Sequence, residues 1–143
     1  MFSSVSDFLN SAKESFREYE RINKQVIKLT IQCCKLENSG QDLLYTTERL
    51  RRLEALRNAM SRYRAVAEFI EFLPYSEMRV VMRYRYLEDY TWEKISSRLA
   101  LDGWKITPRH VWTIHSRAMA VAQELWNART DVEGGKTNDA ADL

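Results

Sequence analysis

The stretch that decides the fold runs from Thr91 to Asn127 and reads TWEKISSRLALDGWKITPRHVWTIHSRAMAVAQELWN. Its apolar residues recur every three or four positions on both sides of Gly103, which is typical of two amphipathic helices separated by a turn. Thr91 and Thr107 stand where a helix N-cap is favoured, and Pro108 suits the first position of a helix. The stretch therefore predicts a short helix, a turn and a longer helix.

The longer helix has two faces of different character. Its apolar face is formed by Val111, Ile114, Ala118, Val121, Ala122 and Leu125. Its other face carries hydrogen-bonding groups and an aromatic ring that packing does not require, at Arg109, His110, Trp112, Thr113, Ser116 and Arg117. A short helix, a turn and a longer helix with exposed donors near its N-terminus is the plan of a helix-turn-helix DNA reader.

The residue types on this second face predict contacts to double-stranded DNA. Arg109 and Arg117 are predicted ligands, because arginine bonds guanine or phosphate in bidentate fashion. Thr113 suits a base edge or a phosphate, and Ser116 is a further candidate on the same face. His110 is open to two interpretations, as a donor to DNA or as a solvated side chain.

Trp112 also allows two interpretations, since it can pack on the turn against Trp104 or contact a thymine methyl group. Outside the longer helix, we expect phosphate contacts at the start of the shorter helix and in the turn. Thr91 and the amides beside it suit a backbone phosphate, and Lys94 and Lys105 are further candidates.

The chain resembles a known domain from Leu73 to about Asn127. The likeness is carried by Leu73-Pro74, Glu77, Val81-Met82, RYLE at 85–88, TWEKI at 91–95, Leu99, Ile106-Thr107 through Val111, Ile114 and RAM at 117–119. These motifs look like the sigma-factor domain that reads the −35 promoter element. The phrases RYLEDYTWEKI and VWTIHSRAM are most similar to the small phage-encoded transcriptional regulators, ArpU-like and RinA-like, that use this domain. The turn from Ala100 to Ile106 is longer than in the sigma pattern.

Two long amphipathic helices are predicted before this domain, at about residues 7–37 and 42–72. The first has an a/d seam at Tyr19, Ile22, Val26, Leu29, Cys33 and Leu36. The second has a stripe at Leu43, Leu50, Leu53, Leu56, Met60, Tyr63, Ala67 and Ile70. Asn38-Ser39-Gly40 separates them, so an antiparallel hairpin is expected. Two helices bury little apolar surface, so the hairpin needs a further surface, either a second copy or the helix-turn-helix domain.

Composition and Leu73-Pro74 set the predicted organisation. Only four Gly and two Pro occur in 143 residues, which favours an all-α fold. We predict a helical hairpin at 1–73 for oligomerisation or partner binding, a DNA-binding domain at 74–127, and a disordered acidic tail at 128–143. Residues 74–127 hold eight Lys/Arg against six Asp/Glu. This basic excess is small for a domain that binds nucleic acid.

Other classes of protein find no support in the sequence. The adjacent Cys33 and Cys34 cannot form an ordinary disulfide, which suits the reduced cytoplasm of a bacterial host. His110 and His115 lie about 140° apart around a helix, so a shared metal is not expected, and His115 suits the edge of a core. The sequence predicts no membrane span, no signal peptide and no nucleophile–base pair. We predict no enzyme activity, cofactor or metal.

The predicted function is sequence-specific DNA-binding transcription regulation of phage or prophage type, by activation. The predicted partners are double-stranded DNA, a second copy in a homodimer, and RNA polymerase. One alternative is a phage DNA-packaging subunit of the small-terminase kind, which also joins DNA binding to helical oligomerisation. The other is an interaction module that docks on RNA polymerase without binding DNA.

Overall fold

The computed structural model describes the backbone of residues 2–35 and 42–142, with the side chains of 2–32, 34–35 and 44–129. The described part of the chain is almost entirely helical and holds no strand, so the all-α prediction is confirmed. The helices are α1 (Val5–Lys35), α2 (Asp42–Glu71), α3 (Ser76–Met82), α4 (Trp92–Leu101) and α5 (Pro108–Asp142). A π-helical turn, Arg83–Leu87, directly continues α3.

The first two helices form the predicted hairpin. Between residues 10 and 66, which make up one compact unit, its core contains Ile22 and Val26 of α1 against Ala59 of α2. The hydroxyl of Ser15 donates a hydrogen bond to the carbonyl of Ala59. The seam is therefore confirmed at Ile22 and Val26, whereas Leu36 and the turn at 38–40 lie outside the described residues.

The predicted stripe of α2 is only partly buried. Leu53 and Leu56 pack on the hairpin core, but the side chain of Leu50 is 61% exposed. Leu50 lies nine residues before Ala59, and nine steps of 100° place it on the opposite side of the helix. The buried line of α2 therefore passes through Ala59 instead of continuing to Leu50.

The second compact unit joins Met1–Leu9 to Ala67–Leu143. The ring of Phe8 lies 5.5 Å from that of Phe69 and 5.1 Å from that of Trp126. Val5 and Leu9 are fully buried. Both outer ends of the hairpin helices thus belong with the C-terminal helices, which differs from the predicted boundary between residues 73 and 74. The difference arises because aromatic rings far apart in the sequence share one core.

The helix α5 is longer than the sequence predicts. Its backbone stays helical through Asp142, whereas the composition predicts disorder from residue 128. No proline follows Pro108, so the chain has no obligatory helix breaker in this stretch.

Candidate nucleic-acid interface

The start of α4 is fixed by a side-chain cap. Thr91 is the N-cap residue, and its Oγ1 accepts a hydrogen bond from the amide of Lys94 at 3.2 Å. The ammonium of Lys94 lies 4.2 Å from the centre of the Tyr90 ring. Both predicted phosphate ligands are exposed, and they lie together in the first turn of this helix.

The long turn after α4 has a defined geometry. The amide of Trp104 donates to the carbonyl of Leu99 at 2.8 Å, and that of Gly103 donates to Ala100 at 3.1 Å, which together form a Schellman motif. Gly103 has a φ of +89°, the left-handed conformation that this motif requires. The hydroxyl of Ser96 donates to a backbone carbonyl of the turn at 2.5 Å. The turn is therefore held to α4 through backbone and side-chain bonds.

The start of α5 agrees with the sequence prediction. Helix α5 begins at Pro108, and Thr107 Oγ1 accepts a hydrogen bond from the amide of His110 at 3.1 Å. Its inner face is buried at Val111 and at three further positions, which are Ile114, Ala118 and Ala122. This face packs against both α3 and α4. The direction of the first turns of α5 is thus set by buried apolar contacts.

The opposite side of α5 carries the side chains that are predicted to contact DNA. Arg109, His110 and Arg117 are exposed, whereas Thr113 and Ser116 are half-buried. At helical spacing, Arg109, Thr113 and Ser116 fall on one line, and His110 and Arg117 lie on one flank of it. The Thr113 hydroxyl donates to the carbonyl of Arg109 at 3.1 Å, so its oxygen is left to accept.

Trp112 occupies the other flank of that line. Its side chain is 53% exposed, so about half of the indole surface is open to a ligand while the rest is covered by the protein. A half-exposed indole beside a row of hydrogen-bonding side chains offers an apolar contact and one N–H donor. Lys105 is also exposed, in the turn that precedes α5. The structure thus brings the α5 residues together, while Lys105, Thr91 and Lys94 lie on other segments.

A cluster behind α5 holds the helix to its neighbours. Tyr86 Oη and His115 Nε2 are joined by a 2.8 Å hydrogen bond, and the His115 ring lies 4.9 Å from that of Trp92. Burial, with a smaller contribution from the charge of Arg85, lowers the pKa of His115 to about 4. His115 is therefore a neutral packing residue at the core edge, as the sequence predicts.

The part that the π-helical turn plays in this cluster was not predictable from the sequence. The amide of Glu88 donates to the carbonyl of Arg83 at 3.1 Å, the five-residue spacing that defines the turn. Within this turn, Arg85 lies 4.1 Å above the Trp92 ring, and Tyr86 is buried. The only sequence signal was the density of aromatic residues in RYRYLEDYTW, which does not reveal their pairing.

The arginines before α4 interact within the chain. Arg79 donates to a backbone carbonyl at 2.6 Å, and Arg83 pairs with the exposed Glu71 at 2.6 Å. Arg85 is occupied by its aromatic and backbone contacts. These three side chains have partners within the chain and are not part of the candidate interface.

The described residues also bear on metal binding and on membrane insertion. No group of three His, Cys, Asp or Glu side chains is placed there to hold a metal ion. None of the helices in the same part of the chain is long and apolar enough to cross a membrane. Comparison of the chain with protein-family models, with curated proteins and with solved structures finds no match.

Proposed function

We propose that this protein is a sequence-specific DNA-binding transcription regulator that reads the major groove with the first turns of α5. The observation that supports the proposal best is the pairing of a buried, capped scaffold with an exposed polar row on the same helix. Val111 and Ile114 are buried on one side, while Arg109 and Arg117 are exposed on the other. Nothing in the packing of the helix needs these charges.

The mechanism follows from the position of each group. Arg109 is in the first turn of α5, where side chains of a reading helix reach base edges, and a guanidinium matches guanine O6 and N7. The Thr113 hydroxyl can accept a hydrogen bond from a base, or donate one if its O–H rotates away from the Arg109 carbonyl. Trp112 offers the apolar edge of its indole to a thymine methyl group. Thr91, Lys94 and Lys105 would bind phosphates and set the orientation of the domain.

The wider setting is part of the same proposal. The resemblance of residues 73–127 to the sigma-factor domain and to ArpU-like and RinA-like regulators favours a phage or prophage regulator in the cytoplasm of a bacterial host. Activation would then require contact with RNA polymerase. Dimerisation would supply a second half-site and raise affinity without further base contacts.

The test is a set of binding isotherms after the preferred site has been selected from random DNA. Arg109→Ala should weaken binding to that site by about 5- to 150-fold, which corresponds to roughly 1–3 kcal/mol for a base contact. Affinity for a scrambled duplex should change little. If Arg109 binds phosphate instead, both duplexes should weaken and the salt slope should become shallower by about one unit.

Arg17→Ala is the matched control, because it removes the same charge from an exposed position on α1. It should bind both duplexes as the wild type does. An unchanged affinity of Arg109→Ala for both duplexes at every salt concentration would place Arg109 off the DNA face and remove the main support for the proposal.

A further inference from the structure

The hairpin exposes large apolar side chains on both of its helices. On α1, Ile27 is 51% and Ile31 50% exposed, and Phe16 is 38% exposed. On α2, Leu50 is 61% exposed. Large apolar side chains grouped on one surface mark an interaction site more often than scattered ones do. The question is therefore whether these four residues share one side of the hairpin.

Helical geometry places them on the same side. Ile27 follows the buried Ile22 by five residues, which rotates it about 140° away from the hairpin core. Leu50 is about 180° from Ala59, which favours neither lateral side by itself, but it lies only about 60° beyond Leu53, which packs on the hairpin core about 120° from Ala59 in the same sense as Ile27 from Ile22. Because the helices are antiparallel, rotation in the same angular sense reaches the same lateral side. Phe16 confirms this sense, since its ring lies 5.7 Å from that of Tyr63 on α2.

The other lateral side is mostly polar, although the exposed Leu44 lies on it near the start of α2. It contains a groove of about 330 Å³ lined by Ser15, Glu18, Ala55, Asn58, Ala59 and Arg62. The hairpin therefore has one apolar and one polar side, which we call the apolar side and the polar side. This asymmetry is expected of a hairpin that packs on one further layer of helices.

The register of the hairpin shows which residues are at the same height. Arg52 Nη1 donates to Gln25 Oε1 at 2.6 Å, so these two residues are level. Because the helices are antiparallel, a step forward along α1 corresponds to a step backward along α2. Two steps from Gln25 and Arg52 bring Ile27 level with Leu50, and five steps the other way bring Glu20 level with Arg57. Glu20 and Arg57 are exposed. Each precedes a buried core residue by two positions, which puts both at the outer margin of the apolar side.

We propose that a second copy of this chain covers the apolar side, with α1 of each copy over α2 of the other. With a two-fold axis parallel to the hairpin helices, each residue lies at the same height along that axis in both copies. Ile27 then packs against Leu50 of the second copy, and Glu20 pairs with its Arg57. The interface is isologous, so each pair occurs twice. The product is a four-helix bundle made of two hairpins.

The available area fits a small dimer interface. From Phe16 to Ile31 the apolar side is about 24 Å long at 1.5 Å per residue, and two adjacent helices are about 20 Å wide. The footprint is on the order of 500 Å² per copy, or about 1,000 Å² in total, which reaches the lower limit for a specific interface. A dimer that dissociates at low concentration is therefore expected.

This inference does not rest on DNA binding, so its test is made on the full chain without DNA. Sedimentation equilibrium over a range of concentrations should give a monomer–dimer equilibrium. Ile27→Asp with Leu50→Asp should raise the dimer Kd by about a hundredfold or more, because both Ile27–Leu50 contacts, made by four apolar side chains, are lost per dimer. Helicity by circular dichroism should stay unchanged, since both positions are exposed. Gln32→Asp, exposed and near the polar side, is the matched control and should leave the Kd unchanged.

A charge exchange tests the arrangement without touching the apolar residues. Glu20→Arg alone should weaken the dimer about 5- to 10-fold, and Glu20→Arg with Arg57→Glu should restore the wild-type Kd to within about twofold. A monomer at all concentrations, a Kd that Ile27→Asp with Leu50→Asp leaves unchanged, or a double exchange that fails to restore association would each overturn the proposal.

Discussion

Acid should destabilise this protein through one histidine, His115. The folded environment lowers the pKa of His115 to about 4 from an ordinary 6.5, because the ring is packed between Tyr86 and Trp92 and faces the charge of Arg85. Between pH 6.5 and 4 the unfolded chain therefore binds more protons at this site than the folded chain does. The contribution of His115 to the free energy of unfolding is fully present above pH 6.5 and is lost as the pH falls towards 4.

The size of the effect follows from the shift. A fully enclosed histidine with this shift would contribute about 3 kcal/mol to the pH dependence of the free energy of unfolding. His115 is only half-buried, and solvent screening reduces the figure to about 1–2 kcal/mol. For a chain of this size the melting temperature should fall by roughly 3–8 °C between pH 7.5 and 4.5 because of this group.

Thermal unfolding followed by circular dichroism at both pH values measures the effect. His115→Gln should melt below the wild type at pH 7.5, because it disturbs the contact with Tyr86, and should lose less on acidification. His110→Gln is the control, since His110 is exposed on the other face of α5 and should keep the wild-type response. An equal fall in melting temperature for His115→Gln and the wild type would refute the reasoning.

Three further predictions concern stability, each measured by thermal or denaturant unfolding. Val26→Asp places a charge in the hairpin core and should cost several kcal/mol, whereas wild-type stability would contradict the seam. Gly103→Ala should lower the free energy of unfolding by about 1 kcal/mol, because alanine is strained at a φ of +89°. No steric clash adds to this cost, since an added Cβ meets nothing within 4 Å. An unchanged stability would mean that the turn relaxes to another backbone conformation. Deletion of residues 131–143 should leave the melting temperature nearly unchanged, since this stretch has few apolar anchors, and a large drop would show that it packs.

Local rules predicted most of the helical architecture. Threonine caps at 91 and 107, the helix-starting Pro108 and the left-handed Gly103 are each set by residues within five positions, so the sequence predicts them directly. The apolar stripe of α5 is buried as expected at Val111 and Ile114. Chemical preferences that act over one helical turn are therefore visible in the sequence.

Contacts between distant residues were not predictable in the same way. Nothing near Phe8 indicates that its ring meets Trp126, so the placement of the first helical turns in the C-terminal unit was missed. Likewise, helical spacing alone predicted the exposed row of α5, but not the hydrogen bond between Tyr86 and His115 that lies behind it. The sequence alone could not decide whether Trp112 packs on the turn or is exposed for DNA recognition, because both roles use the same aromatic ring.

The chain order of the two compact units has a consequence for how the protein can vary. Residues 10–66 interrupt the other unit, leaving it at Leu9 and returning to it at Ala67. In such a topology the hairpin is an insertion with two arms of matched length. Seven residues removed from each arm at the same level would shorten it by about 10 Å, two turns of helix. The residues that form the core of the C-terminal unit would all be retained, so the length of the hairpin can change independently of the helix that carries Arg109.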